Sequence, residues 1–392
     1  MATELAFALI NPYTISKSRT GGVIGRLLTR TGLELVAARM FGPSRELAEK
    51  YAALLRHDPA TEVEERDLLA DYVQRTYAPD PKTGKPRRVM MLLFEGEDAV
   101  VKIAKTTGKV RHSTEASDTV RGTFGDLIRD EQGQVRYVEP AVMVGWTAEA
   151  AGAAMRLWAE YSERDGGLIE TAMDVYTGAE HYQRTLVLIK PDNFRFPSAR
   201  PGNIIDIFSG SGLRIVGAKV HRMTVAEAEE FYGPVRQVLR EKLKGIVGER
   251  AGAALAKELG FELPPETVAQ LGEMLGPMCG DDEFYKIIQF MTGQWGPACT
   301  PEEKQIKGKE RCLALVYAGL NAVEKIRGIL GPTDPSKAQP GSVRREFGQD
   351  IMVNAAHASD SPESAVREMK IIRVEDSMIR EWVDCYYPAR GA

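Results

Sequence analysis

The chain has 392 residues, enough for two or three domains with an ample core. Its 43% hydrophobic and 27% charged residues are those of a soluble globular protein. A formal net charge of -4 without any long basic block argues against nucleic-acid binding. No run reaches the ~18 apolar residues of a membrane span. The start M-A-T-E-L-A-F-A-L-I-N-P is too short and lacks the basic lead of a signal peptide. Cys279, Cys299, Cys312 and Cys385 form no C-x-x-C pair and have no histidine at metal spacing. They read as reduced thiols, without a zinc site, in a cytoplasmic protein.

An internal repeat organises the chain. Phe7 to Pro12 (F-A-L-I-N-P) matches Leu186 to Pro191 (L-V-L-I-K-P), and Gly22 and Gly32 match Gly202 and Gly212. Further on, Phe94 to Ala104 matches Tyr317 to Arg327, and Thr119 to Gly125 matches Ser342 to Gly348. A last block pairs Thr147 to Arg156 with Ser361 to Lys370. Three blocks in one order make chance similarity a poor explanation. The offsets place extra chain in the second copy and a shorter excess in the first, just before its last block. The expected domains are 1–160 and 183–392, joined by a linker at 161–182.

In the second copy, Arg184 to Ile189 is predicted as a buried strand ended by Pro191. Pro201 to Ser211 follows as a helix with Ile204, Ile205 and Phe208 on one face, closed by Gly212. Leu213 to Met223 alternates as a strand. Thr224 then caps a helix, with Glu227 completing a capping box. A helical insertion is expected at about 240–310, from the period of A-G-A-A-L-A-K-E-L-G and E-T-V-A-Q-L-G-E-M-L. Its charged end, P-E-E-K-Q-I-K-G-K-E-R, reads as exposed. Cys312 to Tyr317 is a third strand. Asn321 to Leu330 is a helix burying Val323, Ile326 and Leu330. A short last strand is expected around Ile351 to Val353, and Ser361 caps the final helix with Pro362 at its first position. The order implies an α+β fold: two tandem ferredoxin-like (βαββαβ) domains, the second carrying the insertion.

The stretch Asn354 to Ala365, N-A-A-H-A-S-D-S-P-E-S-A, sets His357 among small residues. With I-K-P-D at Ile189, G-L-N-A-V-E-K-I-R-G-I-L-G-P-T-D-P from Gly319 and P-G-S-V-R-R-E-F from Pro340, it resembles the nucleoside diphosphate kinases across nearly the whole second copy. The resemblance implies a phosphotransferase that moves the γ-phosphate of ATP to nucleoside diphosphates through a phosphohistidine on His357. Imidazole suits that task, being uncharged at neutral pH with an ordinary pKa of ~6.5 and able to form a bond of high transfer potential. Ala355, Ala356 and Ala358 leave room for phosphate oxygens.

By resemblance, Glu368 fixes the other ring nitrogen. Lys190, Arg327, Arg344, Thr333 and Asn354 are then the phosphate and ribose contacts, Tyr232 donates its phenol near the transferred group, and Mg²⁺ bridges two phosphates. In-line transfer spreads negative charge over the phosphoryl oxygens, which is why fixed cations carry this chemistry. Phe284 is the expected base-stacking ring, with Tyr285 beside it, and Ser359 either touches Glu368 or shapes the turn before Ser361. One departure is Ala358, where the family has glycine; its methyl group restricts the backbone to negative φ.

The first copy has lost these groups: Asn11 stands for Lys190, Ala104 for Arg327, and no histidine lies between His112 and His181. Arg121 and Tyr51 persist. A degenerate domain packed against the active one, as an internal pseudo-dimer within a homo-oligomer, is the expected arrangement. The alternative is a nucleotide-sensing or scaffold protein that binds without turnover.

Overall fold

The structure of the protein, a computed structural model, describes residues 3–59, 61–110, 117–172 and 179–388. His112, residues 173–178 of the expected linker and the outermost ends of the chain lie outside the described residues. The chain divides into two compact units, Met1–His221 with Leu313–Ala392, and Arg222–Cys312.

The first unit holds both repeats. The first begins with β1 (Thr3–Ile10), α1 (Pro12–Ser16), α2 (Thr20–Thr31) and β2 (Glu34–Phe41). The pair α3 (Arg45–Arg56) and α4 (Val63–Thr76) leads to β3 (Val89–Glu97) and α5 (Ala99–Thr107). After α6 (Val120–Phe124) come a hairpin of β4 (Asp126–Arg129) and β5 (Val135–Glu139), then β6 (Val142–Met143) and α7 (Ala148–Glu160). The sheet order is β2-β3-β1-β6, with antiparallel neighbours throughout.

The second repeat runs β7 (Tyr182–Ile189), α8 (Arg200–Ser209) and β8 (Arg214–His221). Two long helices follow in the other unit, α9 (Val225–Leu259) and α10 (Pro265–Thr292). The repeat resumes with β9 (Cys312–Leu320), α11 (Ala322–Leu330), α12 (Val343–Phe347) and β10 (Ala356–Ala358), and ends with α13 (Pro362–Ile371) and α14 (Ile379–Tyr386). Its sheet order, β10-β7-β9-β8, is the same as the first: last, first, third, second. Both repeats therefore have the ferredoxin-like arrangement, in which the first and third strands sit at the centre. Central position explains composition: Leu186 to Ile189 and Leu313 to Ala318 are all buried, an unbroken apolar run in each case.

The repeats meet through equivalent elements. Helix α2 lies on α8, and a Cβ on Gly21 would fall 2.2 Å from the Gly202 carbonyl oxygen, with the converse distance also 2.2 Å. Only glycine permits that approach. Chain leaving α7 threads between β2 and β8: the Gly167 amide donates to the Met40 carbonyl (3.0 Å) and the Ile169 amide to the Val216 carbonyl (2.8 Å). The edge strands of the two sheets thus bond to a shared segment, which leaves neither edge open there.

Local signals held at the caps. Thr224 accepts from the Glu227 amide and Glu227 accepts from the Thr224 amide, both at 3.0 Å. Ser361 accepts from the Ser364 amide at 3.0 Å with Pro362 at the first helical turn. Three expectations are corrected. Helix α8 ends at Ser209, and Gly212 instead supplies a left-handed turn at φ 69. The last strand is Ala356–Ala358, because the Asp350 carboxylate accepts from the Met352 and Val353 amides (2.8 and 2.7 Å) and folds Ile351 to Val353 into a turn. The helix capped by Thr224 does not stop near 240 but continues to Leu259, passing through Pro234.

The second unit, described by itself, is an antiparallel helix pair. Its helices approach closely at glycines: a Cβ on Gly272 would lie 2.5 Å from the Lys244 carbonyl oxygen, and one on Gly280 would lie 2.7 Å from the Arg240 Cα. Asp281 accepts from Arg236 Nε (2.8 Å) and Arg240 Nη2 (2.6 Å), pinning the register of the pair.

Candidate active site

Strand β10 is short, yet its register is fixed. Its pairing with β7 sets Ala356 opposite Ile189 and His357 opposite Leu188. The Lys190 amide donates to the Ala355 carbonyl at 2.9 Å, closing the end of this ladder. Ala355 takes a left-handed conformation (φ 68), so the chain turns sharply before the histidine. Ala358, in contrast, lies in the strand opposite Val187 and is absent from the positive-φ residues, so a methyl group there carries no backbone strain.

Helix α13 packs on β7 and brings Glu368 beneath the imidazole. Glu368 is 4% exposed, and its Oε2 lies 3.0 Å from His357 Nε2. Ser359 Oγ donates to the same oxygen at 2.7 Å, which answers the question left open at that serine. A carboxylate accepting from Nε2 places the ring proton there and the lone pair on Nδ1. Asp360 borders the ring. A hydrogen bond from Ser364, with the charge of Arg327, holds its carboxyl below the usual carboxylate range. Arg327 itself is solvent-exposed on α11.

Two cations converge on the strand end. Lys190 is buried, with Nζ donating to Asn354 Oδ1 (2.7 Å) and the Met352 carbonyl (3.1 Å). Burial, reinforced by the neighbouring positive charge of Arg344, lowers its pKa to about 8. Arg344 donates to the Gly331 carbonyl (3.0 Å) and the Ala356 carbonyl (3.2 Å), directly before the histidine. Asn354 is 2% exposed, and its amide nitrogen donates to the carbonyls of Ile351 (2.7 Å) and Thr333 (3.3 Å). It therefore holds Lys190 and the turn together, with Thr333 exposed alongside.

Two residues to which the motifs assigned no role carry structural weight. Asn193, 1% exposed, donates to both the Lys190 and Ala355 carbonyls (3.1 and 2.8 Å) and so ties the two strand ends. Asp192 has a side chain only 6% exposed, 3.6 Å from Arg200. Burial pushes its carboxyl up, against the pull of Lys190 and Arg200. Both lie within three residues of Lys190, and a polar pair just past the end of a buried strand was the available signal.

Tyr232 and Phe284 belong to the helical unit. Tyr232 on α9 packs its ring on Phe231, centroids 4.9 Å apart. Phe284 on α10 is 1% exposed, edge-on to Tyr285 at 5.3 Å, with the Arg236 guanidinium 5.2 Å from its centroid. The expected base-stacking ring is thus buried with no open face, whereas Tyr285 beside it is partly exposed.

The first repeat shows the same frame without the chemistry. Register sets Val142 opposite Ile10, as Ala356 is opposite Ile189, so Met143 occupies the histidine position. Arg121 donates to the Val142 carbonyl at 3.2 Å, the counterpart of the Arg344 bond. It also pairs with Glu65 of α4 at 3.0 Å, both side chains well buried. A carboxylate of the chain itself thus takes the anion position on this arginine. Asn11, in the lysine position, donates to Glu139 Oε1 at 3.2 Å and accepts from Tyr77 Oη at 2.6 Å.

Replacing Glu368 by Gln keeps the shape and removes the charge that favours the Nε2 proton. If His357 is the nucleophile that the resemblance implies, turnover should fall about tenfold to a hundredfold with little change in KM, the pattern of a lost orienting group. Steady-state kinetics over substrate concentration read this directly.

A family model described as nucleoside diphosphate kinase matches residues 4–132, 183–242 and 302–377. The nucleoside diphosphate kinase of Staphylothermus marinus is 31% identical over 200 residues, which are 51% of this chain and 98% of that protein. That of Bdellovibrio bacteriovorus is 30% identical over 189 residues, 48% of this chain and 91% of that protein. Among solved structures, the nucleoside diphosphate kinase of Aquifex aeolicus is similar at 27% identity and a TM-score of 0.30, covering 51% of this chain and 98% of that one.

Proposed function

Because the chain belongs to the nucleoside diphosphate kinase family, we propose that it moves the γ-phosphate of ATP to nucleoside diphosphates by a ping-pong route through His357. The observation that carries this reading is the 3.0 Å contact of His357 Nε2 with buried Glu368, beside Lys190 and Arg344. In the first half-reaction, Nδ1 attacks the γ-phosphorus in line. An N–P bond forms, the bond to the β–γ bridging oxygen breaks, and ADP leaves with that electron pair. The ring becomes cationic, and Glu368 balances its charge. In the second half-reaction a terminal oxygen of the acceptor diphosphate attacks the same phosphorus and restores neutral His357.

Lys190 and Arg344 meet the charge that grows on the phosphoryl oxygens. Arg327 and Thr333 extend that set along the polyphosphate. Asn354 keeps Lys190 aimed. Tyr232 donates near the transferred group, and the base is met by Phe284 or by Tyr285 beside it, the more open of the two rings. Mg²⁺ arriving with the nucleotide would supply further charge neutralisation. Lys190, Arg344 and Asn354 at the strand end are two cations and an amide, a set that suits an ion arriving on the nucleotide better than one held by the protein.

In this reading residues 1–160 form a degenerate domain, 161–182 a linker and 183–392 the catalytic domain, with the two repeats as an internal pair within a larger cytoplasmic homo-oligomer. Initial velocities measured over both substrates test the mechanism. Parallel double-reciprocal lines are expected. Intersecting lines mean direct transfer in a ternary complex and defeat it.

A further inference from the structure

The hairpin β4–β5 of the first repeat walls a cavity of about 540 Å³ that does not include His357, Lys190 or Arg344. Five arginines line it: Arg75 on α4, Arg87 and Arg88 before β3, Arg136 on β5, and Arg214 at the start of β8. A second cavity of about 310 Å³ shares Ser16, Arg88 and Arg214 with the first, so these residues stand between the two.

The negative charge opposing this set is small. Asp80 pairs with Arg87 at 3.2 Å. Glu139, on the wall, already accepts from Tyr72 Oη (2.7 Å), the Ala141 amide (3.0 Å) and Asn11 (3.2 Å), and burial pushes its carboxyl up toward the neutral form. Among the described residues no carboxylate lies within ion-pair distance of Arg88, Arg136 or Arg214. Other arginines of this repeat do have such partners, as Arg129 has Glu64 at 2.6 Å and Arg164 has Asp165 at 3.1 Å. Arg88 is the telling case. It is 7% exposed, with a hydrogen bond to the Ile215 carbonyl, and the charge acting on it is the like charge of Arg214.

A buried guanidinium without a counter-ion is costly unless an anion completes it. A concave wall of one sign also concentrates anions. Guanidinium forks match phosphate oxygens two at a time. The volume lies in the range of small-molecule sites, about 300–1,000 Å³. Tyr137 on the same wall offers an aromatic face. We propose that this cavity is a second anion site that takes a polyphosphate chain, free or carried by a nucleoside, separately from His357. The repeat that has lost its catalytic residues then still has a ligand.

The test uses the full chain carrying Lys190→Met and Arg344→Met, which removes phosphate contacts at His357. Equilibrium dialysis with inorganic tripolyphosphate should still show one site per chain. Adding Arg136→Gln or Arg214→Gln, both at exposed positions, should each weaken binding about tenfold, and Arg88→Met should abolish it. If ADP displaces tripolyphosphate and binds more tightly, the occupant is a nucleotide. If ADP fails to displace it, the occupant is a free polyphosphate. Absence of binding in this background, or binding indifferent to both Arg136→Gln and Arg214→Gln, overturns the proposal.

Discussion

Replacing His357 by alanine should lower phosphotransfer turnover by about 10⁴-fold or more, leaving nucleotide binding largely in place. Losing a nucleophile removes the covalent route itself, and losses of that size accompany such knockouts in other enzymes. Binding should persist because Lys190, Arg344 and Asn354 are held by backbone carbonyls and by each other, not by the ring. A coupled assay of ATP with a second diphosphate reads the turnover. Fluorescent-nucleotide titration of the same variant reads the binding. A variant that retains a tenth of the activity would mean that the ring is not the carrier.

Lys190→Met should cost about 10²- to 10³-fold in turnover, the usual loss when one preorganised donor to a developing charge is removed. Its pH dependence gives an independent signature. In the free protein the ammonium is favoured below about pH 8 and the neutral amine above it, because burial and Arg344 disfavour the charge. A bound polyphosphate restores the charge, so binding takes up one proton above that pH. Affinity for ATP should therefore fall by up to tenfold per unit as pH rises past about 8. Lys190→Arg, whose guanidinium does not titrate there, should flatten the profile. Isothermal titration calorimetry in buffers of differing ionisation enthalpy measures the proton uptake. A flat wild-type profile across this range would remove the titration from the account.

Much of the fold could be read from local pattern. Strand runs such as Leu186 to Ile189 are apolar because they end up central, and the caps at Thr224 and Ser361 close bonds three residues away. The doubled order of blocks carried over to a doubled strand order. What escaped depended on partners distant in the chain or on turn chemistry. The shift of the last strand to Ala356 follows from Asp350 folding the residues after it. The helix from Val225 runs on through Pro234 because a second helix lies along it, with Asp281 bridging to Arg236 and Arg240. At the candidate site, the residue identities were legible at Lys190, His357 and Glu368. The tie made by Asn193 and the burial of Phe284 were not, since neither leaves a periodic trace. In the first repeat, the loss of a histidine was plain, but the ion pair of Arg121 with Glu65 spans 56 residues and belongs to the fold alone.

The central claim is that one imidazole carries the phosphoryl group, and isolating that state tests it most directly. The full chain is incubated with ATP and Mg²⁺ without an acceptor, then measured by intact mass and peptide mapping. The account predicts one phosphoryl group per chain, lost in acid, retained in base and mapped to His357, with none on His357→Ala. No incorporation by the wild type, or equal incorporation by His357→Ala, would contradict it.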